Sequence, residues 1–214
     1  MFIFNDHKDY EGKHAFLSPS GKTWLNWDKE TLITRFYNHY AKDIGTIVHE
    51  VAKDCIRSRM KLNKGDKHLI ELMLYKNYIP KKAYVSEDII ENLANFVNDA
   101  IGFRMQSEVV LFYSNFVFGT ADAIVFDPET MTLRIHDLKN GKENVVTFDQ
   151  LLIYAAIFCL EYKVDPYKLK GGILLRLYQF GEVGEYKAEP EEIKEIMDII
   201  VESNKELTFT KERG

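Results

Sequence analysis

The sequence predicts one mixed α/β domain, in which a helical N-terminal half leads into a small sheet that further helices close. Three observations carry this prediction. Apolar residues recur at helical spacing from Ile44 to Ile56. After Met105, three consecutive segments turn rich in β-branched and aromatic residues with turn residues between them. Helical spacing then returns at Phe148, ahead of one more apolar run.

Taken in order, Ser18-Pro19-Ser20-Gly21 is a polar turn running into Trp24 and Leu25, and it either starts a helix or folds over a cleft. Ile44, Ile47, Val48, Val51, Ala52, Cys55 and Ile56 form the buried face of one helix. Gly65 to Tyr78 and Ser86 to Met105 read as two more, the second with Ser86 as its cap and Glu87 and Asp88 in its first turn. Val109–Tyr113, Phe116–Phe126 and Thr132–Leu138 make a three-stranded antiparallel meander, with Asp127-Pro128-Glu129-Thr130 as its second turn. A helix over Phe148–Tyr162, a buried strand over Gly171–Phe180 and a helix over Glu191–Leu207, begun after Pro190, complete the order. Gly181-Glu182-Val183-Gly184 reads as a short turn.

A chain of 214 residues with 46% hydrophobic content suffices for one sizeable core. Its net charge of −5 argues against a protein that coats nucleic acid nonspecifically, because such binding scales with the phosphates neutralised by Lys and Arg. A local basic groove stays open. With only Cys55 and Cys159, each among apolar neighbours, a disulfide framework is not expected. The first residues lack a basic region followed by an apolar run, and no stretch approaches membrane-spanning length, so the expectation is a soluble cytoplasmic protein with no membrane partner.

The chemistry gathers around Asp137-Leu138-Lys139, fifteen positions after Asp122. Side chains two apart on a strand share a face, so Asp137 and Lys139 project together while His136 and Leu138 point the other way. An acid there can hold a hard divalent cation while the ammonium reaches an adjacent water or phosphate, and Asp122 on the neighbouring strand offers a second carboxylate. The same residues also fit a solvated surface pair. His49 flanks the buried helical face beside Gly45 and Ala52, and reads either as a boundary residue of the core or as a metal ligand. Gln150 and Tyr154, four apart, share a helix face that points either to a cleft or to the core. Glu108 is a lesser candidate at the start of a strand. Arg176 lies in an apolar strand and, if buried, needs a phosphate or an acid as partner, a structural ion pair being the simpler choice. Tyr75, Lys76, Tyr78, Lys81, Lys82 and Tyr84 interleave aromatics with positive charge, as a nucleic-acid path or as a solvated helix end.

Four motifs in this order, Gly45-Thr46-Ile47-Val48-His49, Gly119-Thr120-Ala121-Asp122, Asp137-Leu138-Lys139-Asn140-Gly141 and Gln150-Leu151-Leu152-Ile153-Tyr154-Ala155, resemble the PD-(D/E)XK nuclease superfamily, specifically its RecB-type and CRISPR-associated exonuclease branch. The resemblance spans roughly residues 44 to 180. It implies a restriction-endonuclease-like α-β-β-β-α-β core, a mixed central sheet flanked by helices, in a single nuclease domain whose helical part covers about 1–105 and whose catalytic part covers about 106–214. It further implies Mg²⁺ or Mn²⁺, one or two ions, held by His49, Asp122, Asp137 and the Leu138 carbonyl. Lys139 would position or activate water, Gln150 and Tyr154 would hold DNA, and Glu108 would match a less regular acidic position. Asn140 stands where a small hydroxyl residue is usual, and the four cysteines of an iron–sulfur cluster are missing, so no such cluster is expected. The expected function is a DNA exonuclease acting on ends or single strands, alongside recombination or repair proteins. The compact size resembles a stand-alone phage or mobile-element nuclease. A structure-specific endonuclease of the same fold and a non-catalytic DNA- or protein-binding module are the rivals.

Overall fold

The computed structural model describes residues 8–10, 15–77, 79, 87–140 and 147–213. Helices α1 (Lys29–His39), α2 (Ala41–Ser58), α3 (Lys67–Lys76) and α4 (Glu87–Gly102) come first. Strands β1 (Gln106–Ser114), β2 (Val117–Asp127) and β3 (Thr132–Leu138) follow, then α5 (Asp149–Tyr162), β4 (Gly172–Gln179), β5 (Glu182–Ala188) and α6 (Pro190–Arg213). The five strands lie side by side in the order β1-β2-β3-β4-β5. β3 and β4 are parallel and the other pairs are antiparallel. Only that parallel pair needs a crossover, and α5 supplies it.

The fold is therefore mixed α/β, a five-stranded mixed sheet flanked by helices, with the antiparallel meander where the sequence places it. Two elements differ from expectation. Glu182-Val183-Gly184 does not form a turn with Gly181 but begins β5, an extra edge strand that pairs along β4. Helix α1 also goes unanticipated: Asp28 caps it by accepting from the Thr31 N–H at 2.7 Å, yet none of its residues is buried. The Ser18 turn starts a helix, a 3-10 segment over Pro19–Asn26 that Ser18 caps through the Gly21 N–H, instead of folding over the cleft. This N-terminal layer is held by rings, with Phe16 edge-on to Phe36 at 5.6 Å and tilted against Trp27 at 6.0 Å. Helix α4 ends at Gly102, short of Met105, because Arg104 takes a left-handed conformation (φ 56°) that cannot continue a helix. Its expected cap, Ser86, lies outside the described residues, and α6 runs past Leu207 to Arg213.

Alternation along β3 builds two cores. Leu133 and Ile135 face α5 and α6, packing with Leu151, Phe158 and Ile193. His136 and Leu138 face the opposite layer, where Val48 of α2 and Phe96 and Val97 of α4 are buried. Both cysteines are buried and unpaired, and among the described residues no helix is long and apolar enough to cross a membrane. Gly119 is required for packing. A Cβ there would stand 2.9 Å from the Tyr154 ring, so only glycine lets α5 lay that tyrosine against β2.

Candidate metal centre

The β2–β3 ladder stops at the pair Ala123–His136. β3 nevertheless continues along β4 to Leu138–Tyr178, and the Lys139 N–H donates to the Tyr178 carbonyl at 3.0 Å. The sheet thus forks at Asp122, one residue before Ala123 on one strand, and at Asp137, one residue after His136 on the other. With no β2 carbonyl to receive it, the Leu138 N–H donates to Asp122 Oδ2 at 2.9 Å, which satisfies the backbone and fixes the carboxylate in the gap. Helices from both faces reach this opening. α2 brings His49, whose Nδ1 lies 3.6 Å from Asp122 Oδ1, and α5 brings Gln150 and Tyr154.

Asp137 is 3% exposed, and its Oδ2 meets the Lys139 ammonium at 2.9 Å without a well-aligned hydrogen bond. Lys139 Nζ also donates to Gln150 Oε1 at 2.6 Å, and Gln150 Nε2 donates to the Tyr154 hydroxyl at 3.4 Å. The chain Asp137, Lys139, Gln150, Tyr154 therefore leads from the fork onto α5. The spacing on each element is what the sequence predicts; Asp137, Lys139 and Gln150 line one cleft of about 860 Å³, while the Tyr154 ring lies against Gly119.

Glu108, the lesser candidate, takes a larger place. It lies opposite Asp122, in the gap between the pairs Ser107–Ala123 and Val109–Ala121. Its φ is +55°, a left-handed conformation inside a strand. A side chain in that state costs on the order of 1 kcal/mol, and here it carries the carboxylate to the cleft. Donor atoms of His49, Glu108 and Asp122 all lie within 4.8 Å of one another. Asp137 stands outside that group, with its carboxylate turned to Lys139. Donors of imidazole nitrogen and carboxylate oxygen suit a borderline or hard divalent cation.

Burial pushes the Asp122 carboxyl up to about 6; the Asp137 and Glu108 carboxylates add to the shift, while His49 and the Leu138 N–H oppose it. A buried acid beside two others gains from a cation that neutralises all three.

Arg176 takes no part in this centre. It pairs with His136 on the opposite face of the sheet and binds Asp99 Oδ2 at 2.7 Å and Glu185 Oε1 at 2.5 Å, so the structural ion pair is the correct reading. Tyr75 and Lys76 are exposed at the end of α3, away from the cleft lining, while Tyr78, Lys81, Lys82, Tyr84 and Gly141 lie outside the described residues. Thr46 and Lys53 line the cleft and were not anticipated. The signal was present: residues 46, 49, 50 and 53 form one polar stripe on a helix whose other face is apolar. Both amide atoms of Asn140 are enclosed and meet no hydrogen-bond partner among the described residues.

No curated protein and no solved structure matches this chain. Residues 14–212, nearly its whole length, match the family described as protein of unknown function (DUF2800), and the chain belongs to that family.

Proposed function

We propose that this chain is a metal-dependent deoxyribonuclease with a PD-(D/E)XK-type core, an exonuclease that processes DNA ends. One observation carries the reading: Asp122 and Asp137 meet where β2 and β3 part, with His49 beside the first and Lys139 beside the second. Phosphodiester hydrolysis needs a water that loses its proton near neutral pH and positive charge around the phosphoryl oxygens.

The residues fit a divalent cation, Mg²⁺ or Mn²⁺, held by Asp122, His49 and Glu108, with Asp137 and the Leu138 carbonyl as further oxygens for it or a second ion. Bound there, it would supply Lewis-acid charge and acidify water. Lys139 is the protein's own contribution. Anchored between Asp137 and Gln150, its ammonium has a donor direction left for water or a phosphate oxygen. Gln150 holds that ammonium in place and is itself held by the Tyr154 hydroxyl. Asp122 must be ionised to serve, so metal binding should strengthen as pH rises through about 6.

The test is cleavage of linear and circular DNA with magnesium, with manganese and with chelator. Wild-type protein is expected to degrade linear DNA only when metal is present, and Asp137→Ala is expected to be inactive with an unchanged circular dichroism spectrum. Undiminished cleavage by Asp137→Ala refutes the proposal, and cutting of the circle turns it into an endonuclease. Calorimetric titration with manganese checks binding apart from turnover.

A further inference from the structure

The β1–β2 hairpin extends outward from the fork: beyond the gap in which Glu108 lies opposite Asp122, Val110 pairs with Thr120 and Phe112 with Phe118. One face of this hairpin, bearing Gly119, Ala121 and Leu111, is covered by α5. Toward the hairpin tip, the other face is open among the described residues. Val110 is 57% exposed, Phe112 46% and Phe118 61%. The two phenylalanine rings stack across the strands with centroids 6.3 Å apart and planes within 28°. Glu108, Thr120 and Asp122 line the cleft, so the bare aromatic face runs into it without interruption. From Asp122 to Phe118 is four strand residues, about 13 Å.

We infer that Phe112 and Phe118 form a stacking platform for the unpaired bases of a single DNA strand whose backbone enters the cleft. This rests on the nuclease reading for the direction of the strand. Bases in a duplex are closed within their own stack and offer no face to a protein ring, so the platform selects single strands or frayed ends. The charge of the chain bears on how such an occupant would be held. At a net −5, phosphate neutralisation cannot supply most of the affinity, whereas stacking on aromatic rings is indifferent to net charge and to sequence. At the hairpin tip a cation, Lys211 Nζ, lies 5.8 Å from the Phe116 ring, within reach of a passing backbone.

The experiment is fluorescence anisotropy with labelled oligothymidylate and with a blunt hairpin duplex, in chelator, on wild type, Phe118→Ala, Phe112→Ala/Phe118→Ala and Phe118→Trp. Phe118→Ala is expected to weaken single-strand binding about tenfold and the double variant more, with duplex binding unchanged. Phe118→Trp should retain it, and the affinity should fall only shallowly with salt. Equal losses on both DNAs, no loss on the single strand, or no single-strand binding by wild type overturns the platform. So does a dimer in wild type that Phe118→Ala dissociates while DNA binding stays intact. Cleavage with manganese, measured in parallel, separates the two proposals. Cleavage that survives with unchanged single-strand binding sinks the platform alone. Ring-dependent binding without any cleavage sinks the nuclease alone.

Discussion

Adjacent residues of β3 sit in opposite electrostatic worlds. Asp137 faces the cleft, where Glu108, Asp122 and Asp137 crowd together, one of them on strained backbone. His136 faces α4, where it joins a hydrogen-bonded network with Tyr178, Asp99 and Arg176. There the Tyr178 hydroxyl donates to Asp99 Oδ2 at 2.7 Å, and Asp99 also holds Arg176. Its single proton being committed, Tyr178 receives the His136 Nδ1–H at 3.2 Å, which sets the tautomer of the neutral ring. Burial lowers its pKa to about 3, with Arg176 and Arg134 adding to the effect. Phe103 lies beneath both guanidiniums, at 4.3 Å and 5.1 Å. A hydrogen-bonded network fastens helix to sheet, whereas carboxylates crowded together store free energy that a cation releases. The difference distinguishes structure from site more sharply than burial does, since His136 and Asp137 are both almost fully buried.

The contrast breaks most visibly in turnover. Lys139→Ala should lower metal-dependent cleavage per folded molecule about 10²- to 10³-fold, with only a modest fall in melting temperature from the loss of the partner of Asp137. A large loss of stability instead would place Lys139 on the structural side of the comparison.

Next in size is Asp122. Its folded pKa lies above the ordinary 3.8, so its contribution to stability is full below about pH 4 and is lost as pH rises through about 6. His136 runs the other way: its contribution is full above 6.5 and is lost as pH falls toward about 3. Between about pH 4 and 6 the two trends oppose each other. Asp122→Asn removes one of them. In chelator at pH 7 this variant should be more stable than wild type by about 1–3 kcal/mol, and its stability should fall steadily as pH drops below 6.5. Urea titrations across pH decide the matter, and a variant less stable at pH 7 contradicts the assignment.

Tyr178→Phe probes the other face. Leaving His136 without its acceptor and Asp99 with one donor fewer should cost about 1–3 kcal/mol, while cleavage per folded molecule stays within about twofold. The smallest effect should come from Glu108→Gly. Relief of the left-handed conformation should add about 1 kcal/mol of stability, yet manganese affinity measured by calorimetry should drop. Stability and affinity falling together would mean that Glu108 belongs to the framework.

Much of this was legible in the residues themselves. The helical stripe of Ile44 to Ile56, the meander and the apolar β4 announce themselves because each buries a regular face. Asp137 with Lys139 and Gln150 with Tyr154 are readable as pairs, since strand and helix spacing bring each pair to one side. β5 was not legible: Glu182 to Lys187 is exposed at nearly every position, and such an edge strand exists through its hydrogen bonds to β4, not through a pattern of its own. α1 escaped notice for a similar reason, having no buried face.

Local order, then, was written in the chain: which segments are helix or strand, and which side chains travel together along each. Meeting across the sheet was decided only by the folded arrangement. His49 and Asp122 are 73 residues apart in number, and no periodicity relates them. What joins them is the end of the β2–β3 ladder, which opens a gap that helices from both faces can reach. The same geometry drew Glu108 in by twisting its backbone, and turned Arg176 away because strand alternation sends it to the opposite face. Short-range spacing depends on neighbours along the chain, whereas convergence depends on where pairing stops.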